Sequence, residues 1–253
     1  MTGSGADLDV ACDDLGVATI TIDRPPDNFF DPPLLEGIAT ALEQLARDGR
    51  ARAVVLRSEG RHFCAGARLA SGTPDPAAIY APAARIFAAP LPIVAAVQGA
   101  AIGGGLGLAL AADFRVATPE ARMAANFARL GFHQGFGLSV TLPAVVGQQR
   151  AAELLLTGRR VGGDEALAIG LVDRLVPLAE VRAAAGELAL EIARSAPLAV
   201  RSIRATLRSG RVEAFAAALE REAAQQLLLF ETEDYAEGVR AMGERRLPRF
   251  HGR

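Results

Sequence analysis

The chain has 253 residues, 51% of them hydrophobic and 22% charged, with a formal net charge of -2. That balance excludes a disordered or highly charged polypeptide and supplies a substantial core, built as one domain with an appendage or as two modest domains. The absence of a long basic block argues against nucleic acid as a partner, and all 27 basic residues being arginine excludes a lysine Schiff base or lysine general base.

The start, "MTGSGADLDV", carries neither the basic region nor the apolar stretch of a signal peptide and reads as a loose tail. Cys12 and Cys64 are too few for a disulfide scaffold or a zinc cluster, so a cytoplasmic setting is expected. Residues 16–24 alternate and are β-rich, predicting a strand; "PPDNFFDPP" follows as a turn-rich loop. An amphipathic helix is predicted over Leu34–Arg47 and a more continuously apolar strand over 52–58. Residues 59–72 form a glycine-punctuated loop, and 74–89 contain a helix framed or interrupted by prolines.

Leu91–Ala112 is long and apolar enough to raise a membrane span. However, "PIVAAVQG" reads as a buried strand, Gly103–Gly105 as a tight turn and 106–112 as a buried helix, so no membrane partner is expected. A fourth strand covers 114–118, and strand–helix repetition predicts an α/β sheet with crossover helices. Residues 143–156 read as helix, "GGDEALAIG" as a short helix and "LVDRLVP" as a short strand. Thereafter 179–194, 197–208, 211–231 and 233–243 read as helices. This divides the chain into a core, 1–195, and a C-terminal helical region, 196–253, whose apolar faces cover the core or meet a partner chain.

Two glycine-framed segments carry the chemistry. Gly66 in "CAGAR" can aim neighbouring amides into a cleft, or can be an ordinary loop glycine. Gly103–Gly105 can present amides and a helix N-terminus to an anion, or can be a tight strand–helix junction. One amide from each would hold an oxygen that becomes negative during a reaction. Nucleotide-binding signatures do not fit: a Gly-x-Gly-x-x-Gly pattern fails at Leu108, and no Gly-Lys-Ser/Thr occurs.

In the segments "RPPDNFF", "FCAGARL", "PIVAAVQGAAIGGGLGLALAADFRVAT", "LPAVVGQQRAAELLLTGR", "EALAIGLVDRLVP" and "YAEGVRAMGERRLPRF", the chain resembles the crotonase, or enoyl-CoA hydratase/isomerase, superfamily. The resemblance implies an α/β fold with a ββα spiral core and C-terminal helices that build a homotrimer or a dimer of trimers. It implies an acyl-CoA lyase (hydro-lyase) or isomerase of fatty acid metabolism. Coenzyme A would be part of the substrate, with no separate cofactor and no metal. The amides of Ala67 and Gly104 would form the oxyanion hole, flanked by Gly66 and Gly103.

The resemblance also marks departures. Hydratases of the family use two glutamates, and their positions are occupied here by Gly107 and Phe127, neither of which transfers a proton. Arg68 stands where many relatives have aspartate; it would anchor a substrate carboxylate or CoA phosphate, or make a surface salt bridge. His133 in "GFHQGFG" is the candidate replacement base, with a hydrogen-bonded loop histidine as the alternative. Gln134 would orient water, His62 would support the oxyanion loop, and Asp31 and Tyr80 are further candidates for the base, in segments that often border the pocket in related chains. Asp113 reads as structural, and Cys64 as a buried packing residue. Phe127, Phe132 and Phe136 line an apolar acyl pocket or belong to the core. The competing functional class is a non-catalytic acyl-CoA binder; decarboxylation and thioester hydrolysis are the other reactions the same oxyanion hole would serve.

Overall fold

The structure, a computed structural model, describes residues 3–5, 7–69 and 72–253. Met1, Thr2 and Ala6 of the expected tail, and Ala70 and Ser71 of the expected 59–72 loop, lie outside the described residues. Strands β1 (Gly3–Gly5), β2 (Leu8–Cys12) and β3 (Val17–Ile22) pair antiparallel. Helix α1 (Pro32–Asp48), β4 (Ala53–Ser58), α2 (Pro76–Ala88) and β5 (Ile93–Val97) follow. Next come β6 (Ala100–Ile102), α3 (Gly104–Ala111), β7 (Phe114–Ala117), β8 (Arg122–Ala124) and a 3-10 turn at Asn126–Leu130. Beyond it lie α4 (Leu138–Val146), α5 (Gln148–Thr157), β9 (Val161–Gly162), α6 (Gly163–Ala168) and β10 (Arg174–Leu175). Helices α7 (Val181–Ala193), α8 (Pro197–Leu207), α9 (Arg211–Phe230) and α10 (Glu233–Gly243) complete the chain.

The main sheet has the order β1-β2-β3-β4-β5-β7-β10 and is parallel from β3 onward. Strand β5 is buried along its whole length because both faces of the sheet are covered. Side chains alternate between those faces. Val55, Val94, Ala96 and Val116 meet Ala185, Leu188 and Ala189 of α7. Val54, Leu56, Ala95 and Val97 belong to the larger cluster with Leu35, Ile38 and Leu42 of α1. Asp31 caps α1 by accepting from the Leu34 amide, Pro32 and Pro33 suit its first turn, and Gly49 ends it in the left-handed region.

A second sheet, β6-β8-β9, carries the glycine turn. The Leu91–Ala112 stretch folds as β5, β6 and α3, and no helix among the described residues is long and apolar enough to cross a membrane. Asp113, just past α3, accepts from the Ile93 amide and pairs with Arg204 and Arg208, both at 2.9 Å. This buried cluster ties the C-terminal helical region to the sheet, while α9 lies against α2 and α4.

Three sequence expectations change. The tail is not loose from Gly3 to Gly5, which pairs with β2 because backbone bonds need no side chains. The helix expected over 143–156 is two helices, starting at Leu138 and broken at Gly147, whose φ is 79°. Strand β8 and the turn at Asn126–Leu130 are additional; they are too short to show a period.

Candidate active site

The site begins as a backbone construction. The Cys64 amide donates to Ala100 O at 3.0 Å and the Ile102 amide to Cys64 O at 3.1 Å, zipping the "CAGAR" loop onto β6. The Phe30 amide donates to Gly66 O at 3.0 Å, fastening the loop on its other side. Gly66 has φ 90°, and a Cβ there would stand 2.8 Å from Ile102 O, so only glycine fits without strain. Gly105 meets Cys64 still more closely: its Cβ would lie 2.1 Å from Cys64 O. These approaches bring the two glycine segments together, with the Gly66 Cβ position 3.6 Å from the Gly104 nitrogen.

Ala67 and Gly104 both line a cavity of about 530 Å³, together with Gly66, Arg68 and Gly103. Among the described residues, neither the Ala67 nor the Gly104 amide donates to a backbone acceptor outside regular elements or to a side-chain acceptor. Gly104 also opens α3, so its N–H carries the partial positive charge of a helix N-terminus. Such an arrangement can hold an oxygen as it becomes negative.

Most of the remaining cavity lining is apolar. Phe127 and Phe132 line it, edge to face with centroids 5.3 Å apart. Gly107, expected at the substrate, is not among the lining residues. A Cβ at Gly107 would fall 2.5 Å from Phe136 Cβ, so Phe136 occupies the space of a residue-107 side chain. Phe136 does so from a left-handed backbone, φ 59°, at the end of the 132–137 loop. Glu222 of α9 holds that loop's exit by accepting from the Gly137 amide at 2.8 Å and the Ser139 amide at 3.0 Å. Burial pushes the Glu222 carboxyl above its ordinary range despite these bonds.

His133, the candidate replacement base, is not brought to the cavity. Its Nδ1 lies 2.8 Å from Gln134 O, its own carbonyl accepts from Gln226, and it is absent from the lining. Phe132 and Phe136 of the same loop line the cavity, whereas the half-buried His133 and Gln134 between them do not. Gln134 donates to Ser139 Oγ at 3.0 Å. His62 is a strut, its Nδ1 accepting from the Ala100 amide at 3.2 Å. Burial, aided by Arg122 and Arg61, lowers its pKa below the usual 6.5. Asp31 serves α1 and Arg24, and burial pushes the Cys64 thiol up to about 12, which leaves it un-ionised.

Arg68 is exposed, its Cζ 5.2 Å above the centre of the Phe29 ring, and Asp27 lines the same cavity. Three polar lining residues were not anticipated as site residues: Asp27, Asn126 and Gln226. Gln226 had a detectable signal, since Phe215, Leu219, Glu222 and Gln226 form the buried stripe of α9 and two of the four are polar.

With this geometry in hand, comparison with known proteins identifies the scaffold. The sequence profile of the family described as Enoyl-CoA hydratase/isomerase matches residues 12–253. A probable enoyl-CoA hydratase of Bacillus subtilis (strain 168) is 36% identical, over 93% of this chain and 95% of the relative. The 1,2-epoxyphenylacetyl-CoA isomerase of Escherichia coli (strain K12) is 31% identical, over 94% and 96%. A crystal structure of an enoyl-CoA hydratase/isomerase from Pseudoalteromonas atlantica T6c is 33% identical, with a TM-score of 0.88, covering 97% of this chain and all of that one. The α/β core with its C-terminal helices is therefore a crotonase fold, and the chain belongs to the enoyl-CoA hydratase/isomerase family.

Proposed function

We propose that the protein binds an acyl-CoA thioester and stabilises negative charge on its carbonyl oxygen between the amides of Ala67 and Gly104, as an enzyme of the lyase or isomerase type. The observation that carries this reading is that Ala67 and Gly104, on two closely approaching glycine segments, line one mainly apolar cavity. A thioester carbonyl gains charge on becoming an enolate or a tetrahedral adduct, so fixed donors favour the transition state over the ground state. Coenzyme A enters as part of the substrate, and no step calls for a separate cofactor or metal. Arg68 at the cavity is suited to a CoA phosphate or a substrate carboxylate.

The two-carboxylate route of water addition is not part of this proposal, because Gly107 and Phe127 offer no proton carrier. Reactions that reach an enolate without a protein carboxylate, such as loss of CO2 from a malonyl-type thioester, use the same donors. A second reading, a binder without turnover, draws on Phe136 filling the space beside Gly107. Exposed Leu198, Leu207, Leu227 and Leu228 on α8 and α9 support a homotrimer or a dimer of trimers. A cytoplasmic setting fits two free thiols.

The test is turnover of enoyl-, 3-hydroxyacyl- and malonyl-type CoA thioesters by wild type and Gly104→Pro, read by mass spectrometry and chromatography. Product formed by wild type and lost in the variant is the expected result. Gain of water would instead establish hydration by an unforeseen base. Tight binding with no product would select the binder reading, and no binding of any thioester would overturn both.

A further inference from the structure

Tyr80 and Gln226 are the unusual residues of this cavity. They come from α2 and α9, 146 positions apart, and both are buried. Tyr80 Oη donates to Gln226 Oε1 at 2.9 Å, and Gln226 Nε2 donates to His133 O at 2.9 Å. Gly135, which also lines the cavity, leaves the pair uncovered: a Cβ there would stand 2.0 Å from Tyr80 Oη and 2.6 Å from Gln226 Nε2. Any other residue at 135 would displace them.

The hydrogen-bond inventory is not exhausted by these contacts. Gln226 has two amide hydrogens, of which His133 O takes one. Tyr80 Oη donates its one hydrogen to Gln226 Oε1, and its oxygen keeps acceptor capacity. A donor and acceptor capacity therefore remain side by side in a mainly apolar pocket whose lining includes Ile79, Phe132 and Phe136. Placing a polar pair in such a pocket is unfavourable compared with apolar residues unless its capacity is used. Tying the 132–137 loop to α9 needs only the Gln226–His133 bond, and leaves the phenol unexplained. Burial and the nearby Glu222 hold that phenol un-ionised, so it acts as a hydrogen-bonding group rather than as a base.

We propose that Tyr80 and Gln226 form a specificity-determining subsite for a hydroxyl group carried on the acyl chain, which donates to Tyr80 Oη and accepts from Gln226 Nε2. This inference rests on the acyl-CoA reading above. It selects oxygenated acyl groups over plain alkyl ones, and its residues take no part in polarising the thioester.

The experiment is calorimetric titration with a short series of ω-hydroxyacyl-CoA thioesters, each beside the plain alkyl thioester of the same chain length. Wild type should prefer one hydroxylated ligand by about tenfold, the scale of a buried hydrogen bond. Tyr80→Phe and Gln226→Leu should bring that ratio close to one. A wild-type ratio near one at every chain length would overturn the subsite, and this arm needs no variant to fold. Equal weakening of both ligands in Tyr80→Phe, with the ratio retained, would also overturn it and leave only loop anchoring. Failure of folded wild type to bind any of the thioesters would defeat the acyl-CoA reading itself and the subsite with it.

Discussion

The two ends of the cavity are built by different means. At the glycine-turn edge, position is set by the backbone: hydrogen bonds join Cys64 to Ala100 and Ile102, and Gly66 to Phe30, and close approach leaves no room for side chains. At the acyl end, position is set by side chains from distant segments: Phe136 fills the space at Gly107, Tyr80 and Gln226 fill that at Gly135, and Glu222 holds the exit of the loop. In the proposed function the backbone edge would polarise the thioester, whereas the side-chain end would decide which acyl group lies beside it.

That division can be broken most severely at Gly104. Gly104→Pro removes the N–H and sets a Cβ 2.5 Å from Phe30 Cζ, so turnover of any accepted thioester should fall about 10²–10³-fold, measured by steady-state kinetics on protein with native circular dichroism. The next largest effect tests the filled end. Gly107→Glu, which restores a carboxylate, collides with Phe136 and should lower stability by about 2–4 kcal/mol in urea denaturation. Phe136→Gly removes the obstacle and suits the left-handed backbone at 136, at the loss of a buried ring. The double variant should therefore be more stable than the sum of the single losses by more than about 1 kcal/mol; additivity would mean the two positions do not compete for one space.

A smaller, pH-dependent effect sharpens the backbone edge. His62 holds the Ala100 amide only while Nδ1 is unprotonated, and its folded pKa lies below the ordinary 6.5. Its contribution is present above that value and lost as pH falls through the folded one. Tm should drop between about pH 7 and about pH 5, and the drop should flatten in His62→Gln; parallel curves would remove His62 from the account. The smallest effect belongs to His133, which does not line the cavity. His133→Ala should change turnover by less than about twofold, the scale of substitutions remote from special contacts, and a hundredfold loss would restore it as the base.

Much of the backbone edge was legible in the chain. Gly66 and Gly103–Gly105 announce close approach because few other residues tolerate it, and the strand, turn and helix of Leu91–Ala112 follow from apolar runs interrupted by glycine. The phenylalanines were legible as pocket or core but not as one or the other. Phe136 illustrates why: its neighbour Gly107 is 29 positions away, and nothing in either local segment states that one ring fills the other's vacancy. His133 was misplaced for the same reason. A titratable residue in the right loop carries no mark of which way the loop turns, and here Glu222 and Gln226, about 90 positions later, anchor it.

By itself the sequence determined the alternation of strands and helices, the family, the two glycine segments and the absence of a proton-carrying side chain at Gly107 and Phe127, because each depends on local periodicity, backbone permissiveness or residue identity at a motif. Only the tertiary structure decided that Phe136 closes the space at Gly107, that His133 stays outside the cavity, and that Tyr80 meets Gln226 inside it. Those outcomes depend on packing between segments far apart in the chain, where a few ångströms of side-chain reach separate a lining residue from a strut.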